Sequence, residues 1–95
     1  MWQSMSDIRV ERAHTIGKEA ALAAALRVAE HIKEKAQVNY RVVGDEIEFE
    51  RAGAKGKIVV GPANVVAEVS LGLLMRPMRG LIESKIDEYF ARYFE

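Results

Sequence analysis

A chain of 95 residues is one domain's worth of polypeptide, enough for a single core. Its 14 Lys and Arg balance its 14 Asp and Glu, a formal net charge of zero that argues against a general nucleic-acid binder. The absence of cysteine excludes disulfides, thiolate metal sites and cysteine nucleophiles, and no apolar run approaches the roughly 18 residues that lipid bilayer insertion needs.

Residues 1–6 lack the basic and apolar stretches of a secretory signal. They are expected to form a flexible N-terminus, with Met1 or Met5 as the native start, ahead of a single domain over 7–95. A cytoplasmic location is the expectation.

Residues 7–13 alternate, with Ile8 and Val10 to one side and Arg9 and Glu11 to the other, and predict a short strand. A helix should follow over 16–35, with Thr15 as its N-cap and Glu19 in the first turn. Its buried stripe is read as Leu22, Ala25, Leu26, Ala29, Ile32 and Ala36. Arg27, Glu30, Lys33 and Glu34 are read as facing water, and so is His31.

Residues 38–51 form the clearest hairpin, turning at Gly44-Asp45. That register opposes Val42 with Ile47, Tyr40 with Phe49, and Arg41 with Glu48. A turn is expected over 52–56, a strand over 57–60, a turn at Gly61-Pro62-Ala63-Asn64 and a strand over 65–71. The closing stretch, 72–94, carries four of the seven aromatic residues. Leu74, Met78, Leu81, Ile82, Ile86, Tyr89, Phe90 and Tyr93 recur on one helical stripe. Arg79/Glu83 and Glu88/Arg92 are opposite charges at i,i+4. Pro77 belongs in a first turn or a kink, so the helix should begin near Arg76.

The order β-α-β-β-β-β-α predicts a two-layer α+β domain. An antiparallel sheet of about five strands would carry both helices on its one apolar face. A helix-grip-like arrangement is compatible with this order.

No catalytic, cofactor-binding or metal-binding motif is present, which favours a non-enzymatic protein. His14, just before a helix, reads either as a base or ligand at the sheet edge or as a residue fixing the helix entry. Glu46, Glu48 and Glu50 alternate on one strand face, where Arg41 and Lys57 are expected to neutralise them. Gly53 to Lys57 lacks a full phosphate-loop pattern and precedes a strand. Leu73, Leu74, Met75 and Met78 cluster ahead of the last helix. They are either core or a surface for an apolar partner or ligand.

Four blocks lie in order over nearly the whole chain: His14-Thr15-Ile16-Gly17 before the Ala-rich helix, Gly44 to Arg51, Gly53 to Ile58, and Leu71 to Pro77 leading into Ile82, Glu83 and Ile86. Together they resemble the polyhydroxyalkanoic acid system proteins, also called the polyhydroxyalkanoate granule-region family. The resemblance implies an accessory role in storage-polyester metabolism, with the granule surface or granule-associated proteins as partners. It supplies no catalytic residues. Tyr40 stands where many relatives have Trp. Two other readings stay open: a small apolar-ligand module of helix-grip type, and a homo-oligomeric regulatory domain. A hydrolase using His14 as base carries the least weight.

Overall fold

The computed structural model describes residues 7–94, so the stretch expected to be flexible, 1–6, lies outside it. The elements are β1 (Ile8–Ala13), α1 (Lys18–Ala36), β2 (Asn39–Val43), β3 (Glu46–Arg51), β4 (Ala54–Val60) and β5 (Asn64–Leu71). A 3-10 helix (Leu73–Met78) then leads into α2 (Arg79–Tyr93). The five strands make one antiparallel sheet in the order β1-β5-β4-β3-β2.

Strands β2 to β5 form a meander because each is joined to the next by a tight turn. The expected hairpin register is present: Val42 opposes Ile47, Tyr40 opposes Phe49, and Arg41 opposes Glu48. Arg41 Nε donates to Glu48 Oε1 at 2.9 Å across that pair. β1 closes the other edge beside β5, pairing Ile8 with Val69 and Val10 with Ala67. α1 therefore carries the chain from one edge of the sheet to the other. Its 19 residues span about 28 Å, more than the roughly 19 Å that five strands occupy.

Both helices cover one face, and a single core lies beneath them, with Ile8, Ile47, Ile58, Val65, Val28 and Phe90 among its members. α1 starts two residues later than expected, and Gly17, not Thr15, is its N-cap. Gly17 has φ +83°, and no side chain caps the helix. A left-handed turn swings the chain out of β1 here, so the entry is set by glycine's backbone freedom and not by a hydroxyl. The buried face of α1 is Ala21, Ala24, Ala25, Val28 and Ala29. Leu22, Leu26 and Ile32 sit at its margins. Small residues at the centre of the face let the helix approach the sheet closely, and the longer side chains spread outward.

β4 begins at Ala54, so the expected five-residue turn is only Ala52-Gly53, and Gly56 lies inside the strand. α2 begins at Arg79, directly after the 3-10 turn that holds Pro77. Of the stripe read for this helix, Ile86 and Phe90 are buried, joined by Phe94 just beyond it. Glu88 and Arg92 lie 3.9 Å apart. Arg79 turns away from Glu83 and donates from Nε to the Asp7 carbonyl at 2.8 Å.

Gln37 ends α1 in the left-handed region, with φ 55° and ψ 43°. A Cβ is strained there, so Gln37→Gly should stabilise the protein by about 0.5–1 kcal/mol in urea unfolding. Tyr40 ties β2 to α1 by donating its hydroxyl to the Glu30 carboxylate. That hydrogen bond, then partial desolvation and the Glu30 charge, raise the Tyr40 pKa above its ordinary 10.0. A raised folded-state pKa gives a contribution that is complete below the unfolded value and lost as pH rises through the folded one. Tyr40→Phe should therefore narrow the stability difference from the parent as pH rises above about 10, read by urea midpoints along an alkaline series.

Candidate functional site

The apolar cluster ahead of the last helix lies mostly outside the core. Leu73 is 80% exposed and Leu74 93%, with Met78 at 42% and Leu81, one turn into α2, at 55%. Met75 is half-buried and packs against the core. Local chemistry explains why the segment is held in this way. Pro77 lies inside the 3-10 turn Leu73–Met78, to which it gives no N–H, and its fixed φ stiffens the backbone there. The Gly72 N–H donates to the Gly53 carbonyl at 2.7 Å, and the Met75 N–H to the Gly72 carbonyl at 3.0 Å. Gly53 has φ +87°, and a Cβ added there would meet Met75 Cγ at 3.1 Å. The β3–β4 turn thus seats Met75, and Met75 pins a short turn whose other side chains, Leu73 and Leu74, point to solvent.

Behind this segment is a cavity of about 540 Å³ between the sheet, α1 and α2. Val28, Ile32, Val69, Met75, Ile82 and Phe90 contribute to its mainly apolar lining. The cavity has two causes. α2 buries its C-terminal half, through Ile86 and Phe90, against β1 and α1, while Leu81 near its start stays exposed. Under that start the sheet offers small residues, Ala54 and Gly56, at inward positions of β4. Gly56 also approaches β5 closely: a Cβ there would meet the Glu68 carbonyl oxygen at 3.1 Å and Val69 Cγ2 at 3.3 Å, so a side chain would press the neighbouring strand outward by a few tenths of an ångström. Lys35, Arg51 and Lys85 stand among the lining residues. Arg51 Nη1 donates to the Ala36 carbonyl at 2.8 Å, which fixes its guanidinium at the C-terminal end of α1.

His14 is 6% exposed. Its Nε2 donates to the Gly61 carbonyl at 3.0 Å, its backbone N–H to the Ala63 carbonyl at 3.0 Å, and its ring lies 6.1 Å from that of Phe94. These contacts join the end of β1 to the β4–β5 turn and to the C-terminal Phe94. His14→Ala should cost about 2 kcal/mol through the lost hydrogen bond and the space left behind. Denaturant unfolding checks that.

His31 is not a solvated residue. It is half-buried, its Nε2 lies 2.6 Å from the Tyr93 hydroxyl, and its ring is 5.8 Å from that of Tyr89. Its place on α1 turns it toward α2, a pairing invisible without knowing that the helices are neighbours. On the outer face of the sheet, Glu48 sits between Arg41 and Lys57, and Glu50 opposes Lys55. No group of three potential metal ligands occurs among the described residues. Residues 54–57 are strand, not a loop that could cradle phosphate.

The cavity and the exposed leucines were legible in the sequence to different degrees. The cluster itself was evident, but which members are core was not. The cavity's floor had one signal, the small residues Ala54 and Gly56 in what proves to be a strand.

Fold and surface together define a small two-layer α+β protein whose distinctive feature is an anchored apolar turn at the mouth of a cavity. The chain belongs to the family described as "Putative polyhydroxyalkanoic acid system protein", whose family model matches residues 8–94. No curated protein and no solved structure gives a significant match to the chain. Among the described residues no helix is long and apolar enough to cross a membrane.

Proposed function

We propose that this protein is a non-enzymatic accessory factor of polyhydroxyalkanoate storage that docks on the granule surface, through the polymer or its coat proteins. The observation that carries the reading is the exposure of Leu73, Leu74, Met78 and Leu81 on and beside one anchored turn. Isolated exposed leucines are ordinary. A contiguous group held outward by a fixed backbone is the kind of patch that marks an interaction surface. Family membership names the system in which a partner is to be sought. A storage polyester presents aliphatic side groups and ester carbonyls. The four side chains match the first, and Arg76, exposed among them, has donors for the second.

The test is co-sedimentation of the purified protein with isolated granules, followed by a high-salt wash. Retention through the wash supports apolar docking, because salt screens charge contacts and leaves hydrophobic ones in place. A protein recovered wholly in the supernatant overturns the reading.

A further inference from the structure

We infer that the cavity behind the anchored turn is a binding site for a medium-chain carboxylate, a single aliphatic chain ending in one negative charge. Three observations converge on that chemistry. The first is size: about 540 Å³ lies within the range of small-molecule sites. At roughly 30 Å³ per heavy atom, the share of one water in the liquid, it holds at most about 18 such atoms. The second is the lining, built from Val28, Ile32, Val69, Met75, Ile82 and Phe90, which offers little to a polar ligand and much to an alkyl chain.

The third is charge. Lys35 from α1, Arg51 from β3 and Lys85 from α2 reach the cavity from three elements. Arg51 uses Nη1 on the Ala36 carbonyl and has further donors in its fork. Lys85 has only a 3.7 Å approach to the exposed Glu88 carboxylate, which a bound anion can outcompete. Lys35 makes no ion pair among the described residues. Glu50 is the one acidic residue of the lining, and the strand register sets it opposite Lys55 on the outer face. The helix-side charge at the cavity is therefore cationic, and it surrounds an otherwise apolar space. A neutral lipid would leave those cations unused, and a compact polar anion would leave the apolar wall wet.

The site adjoins the docking surface: Met78 and Leu81 belong to both, whereas Leu73 and Leu74 lie outside the lining and Ile82 lies within it. A carboxylate of this kind is what hydrolysis of a medium-chain ester releases, or what an acyl-activating reaction consumes.

Isothermal titration with decanoate, below its micelle concentration, tests the inference, with decanol as the uncharged control. Saturable binding of decanoate is expected, at least about tenfold tighter than decanol. The double variant Lys35→Glu/Lys85→Glu, two exposed positions, should weaken decanoate about tenfold or more and change decanol by less than about twofold. Ile82→Trp, which fills the cavity, should abolish both, and Val69→Phe, filling it from the sheet side, serves if Ile82→Trp does not fold. The inference is overturned if decanoate shows no saturable binding, if decanol binds as tightly, or if the double variant binds decanoate like the parent. Granule co-sedimentation of the cavity variant separates the two sites: a protein that pellets but no longer binds decanoate has lost only this one.

Discussion

Leu73→Glu/Leu74→Glu should release the protein from polyester granules and leave its melting temperature unchanged. At 80% and 93% exposure, these side chains contribute almost nothing to the folded monomer. Surface changes of this kind alter stability by no more than about 0.5 kcal/mol. Against an apolar surface the same leucines have most of their area still to bury, which is worth about 1.5–3 kcal/mol for each side chain. Losing both, and placing two carboxylates where water is expelled, should lower apparent granule affinity by about 100-fold or more. The backbone hydrogen bond from Gly72 to Gly53 and the packing of Met75 are untouched, so the turn keeps its shape. Quantitative co-sedimentation, beside a thermal melt of the same preparation, reads both halves of the expectation. A variant that still pellets like the parent would remove this turn as the docking surface.

Phe90→Ala should be the most damaging single change to the fold. Phe90 is 0% exposed and meets Phe94 edge-to-face, with centroids 5.3 Å apart. It is the main anchor by which α2 grips the sheet and α1. Removing a buried aromatic ring costs about 3–5 kcal/mol, part transfer and part cavity. A domain of this length has only about 5–14 kcal/mol in total. The melting temperature should fall by roughly 15 °C or more, followed by far-ultraviolet circular dichroism. Because α2 also walls the cavity, decanoate binding should weaken as well. A shift of only a few degrees would mean that α2 contributes little to the core.

Electrostatics add smaller effects. Asn64 donates to Glu11 at 2.7 Å and Arg9 at 3.1 Å, and these hydrogen bonds hold the Glu11 carboxyl below its ordinary value. A depressed folded-state pKa gives stability present above the unfolded value and lost as pH falls through the folded one. Glu11→Gln should therefore differ from the parent near neutral pH and converge on it in acid, as urea midpoints would record.

Most of the fold was legible because its signals are local. Alternation in 38–51 fixed the hairpin register, since a slip by one residue would have turned Ile47 and Phe49 to solvent and Glu48 to the core. Short turns then forced the meander from β2 to β5. The Ala-rich stretch could only be a helix. Boundaries were less legible. Thr15 looked like a cap, but Gly17 had the conformational freedom that the turn out of β1 required. Residues 54–56 looked like turn because of Gly53 and Gly56, yet Gly56 is in a strand, packed closely against Glu68 and Val69 of β5.

By itself, then, the sequence determined the element order, the antiparallel meander, the single apolar face and the family resemblance. Each follows from spacing, turn chemistry or residue identity along a few neighbouring positions. Tertiary structure alone decided that β1 closes the sheet beside β5 and that His31 meets Tyr93. It also decided that Leu73 and Leu74 stay in water while Met75 turns inward, and that α2 stands off the sheet to leave a cavity. These depend on contacts between residues distant in the chain, where the same apolar side chain is core or surface according to whether another element arrives to cover it. No helix arrives over Leu73 and Leu74. Ala54 and Gly56 are too small to fill the gap beneath the start of α2.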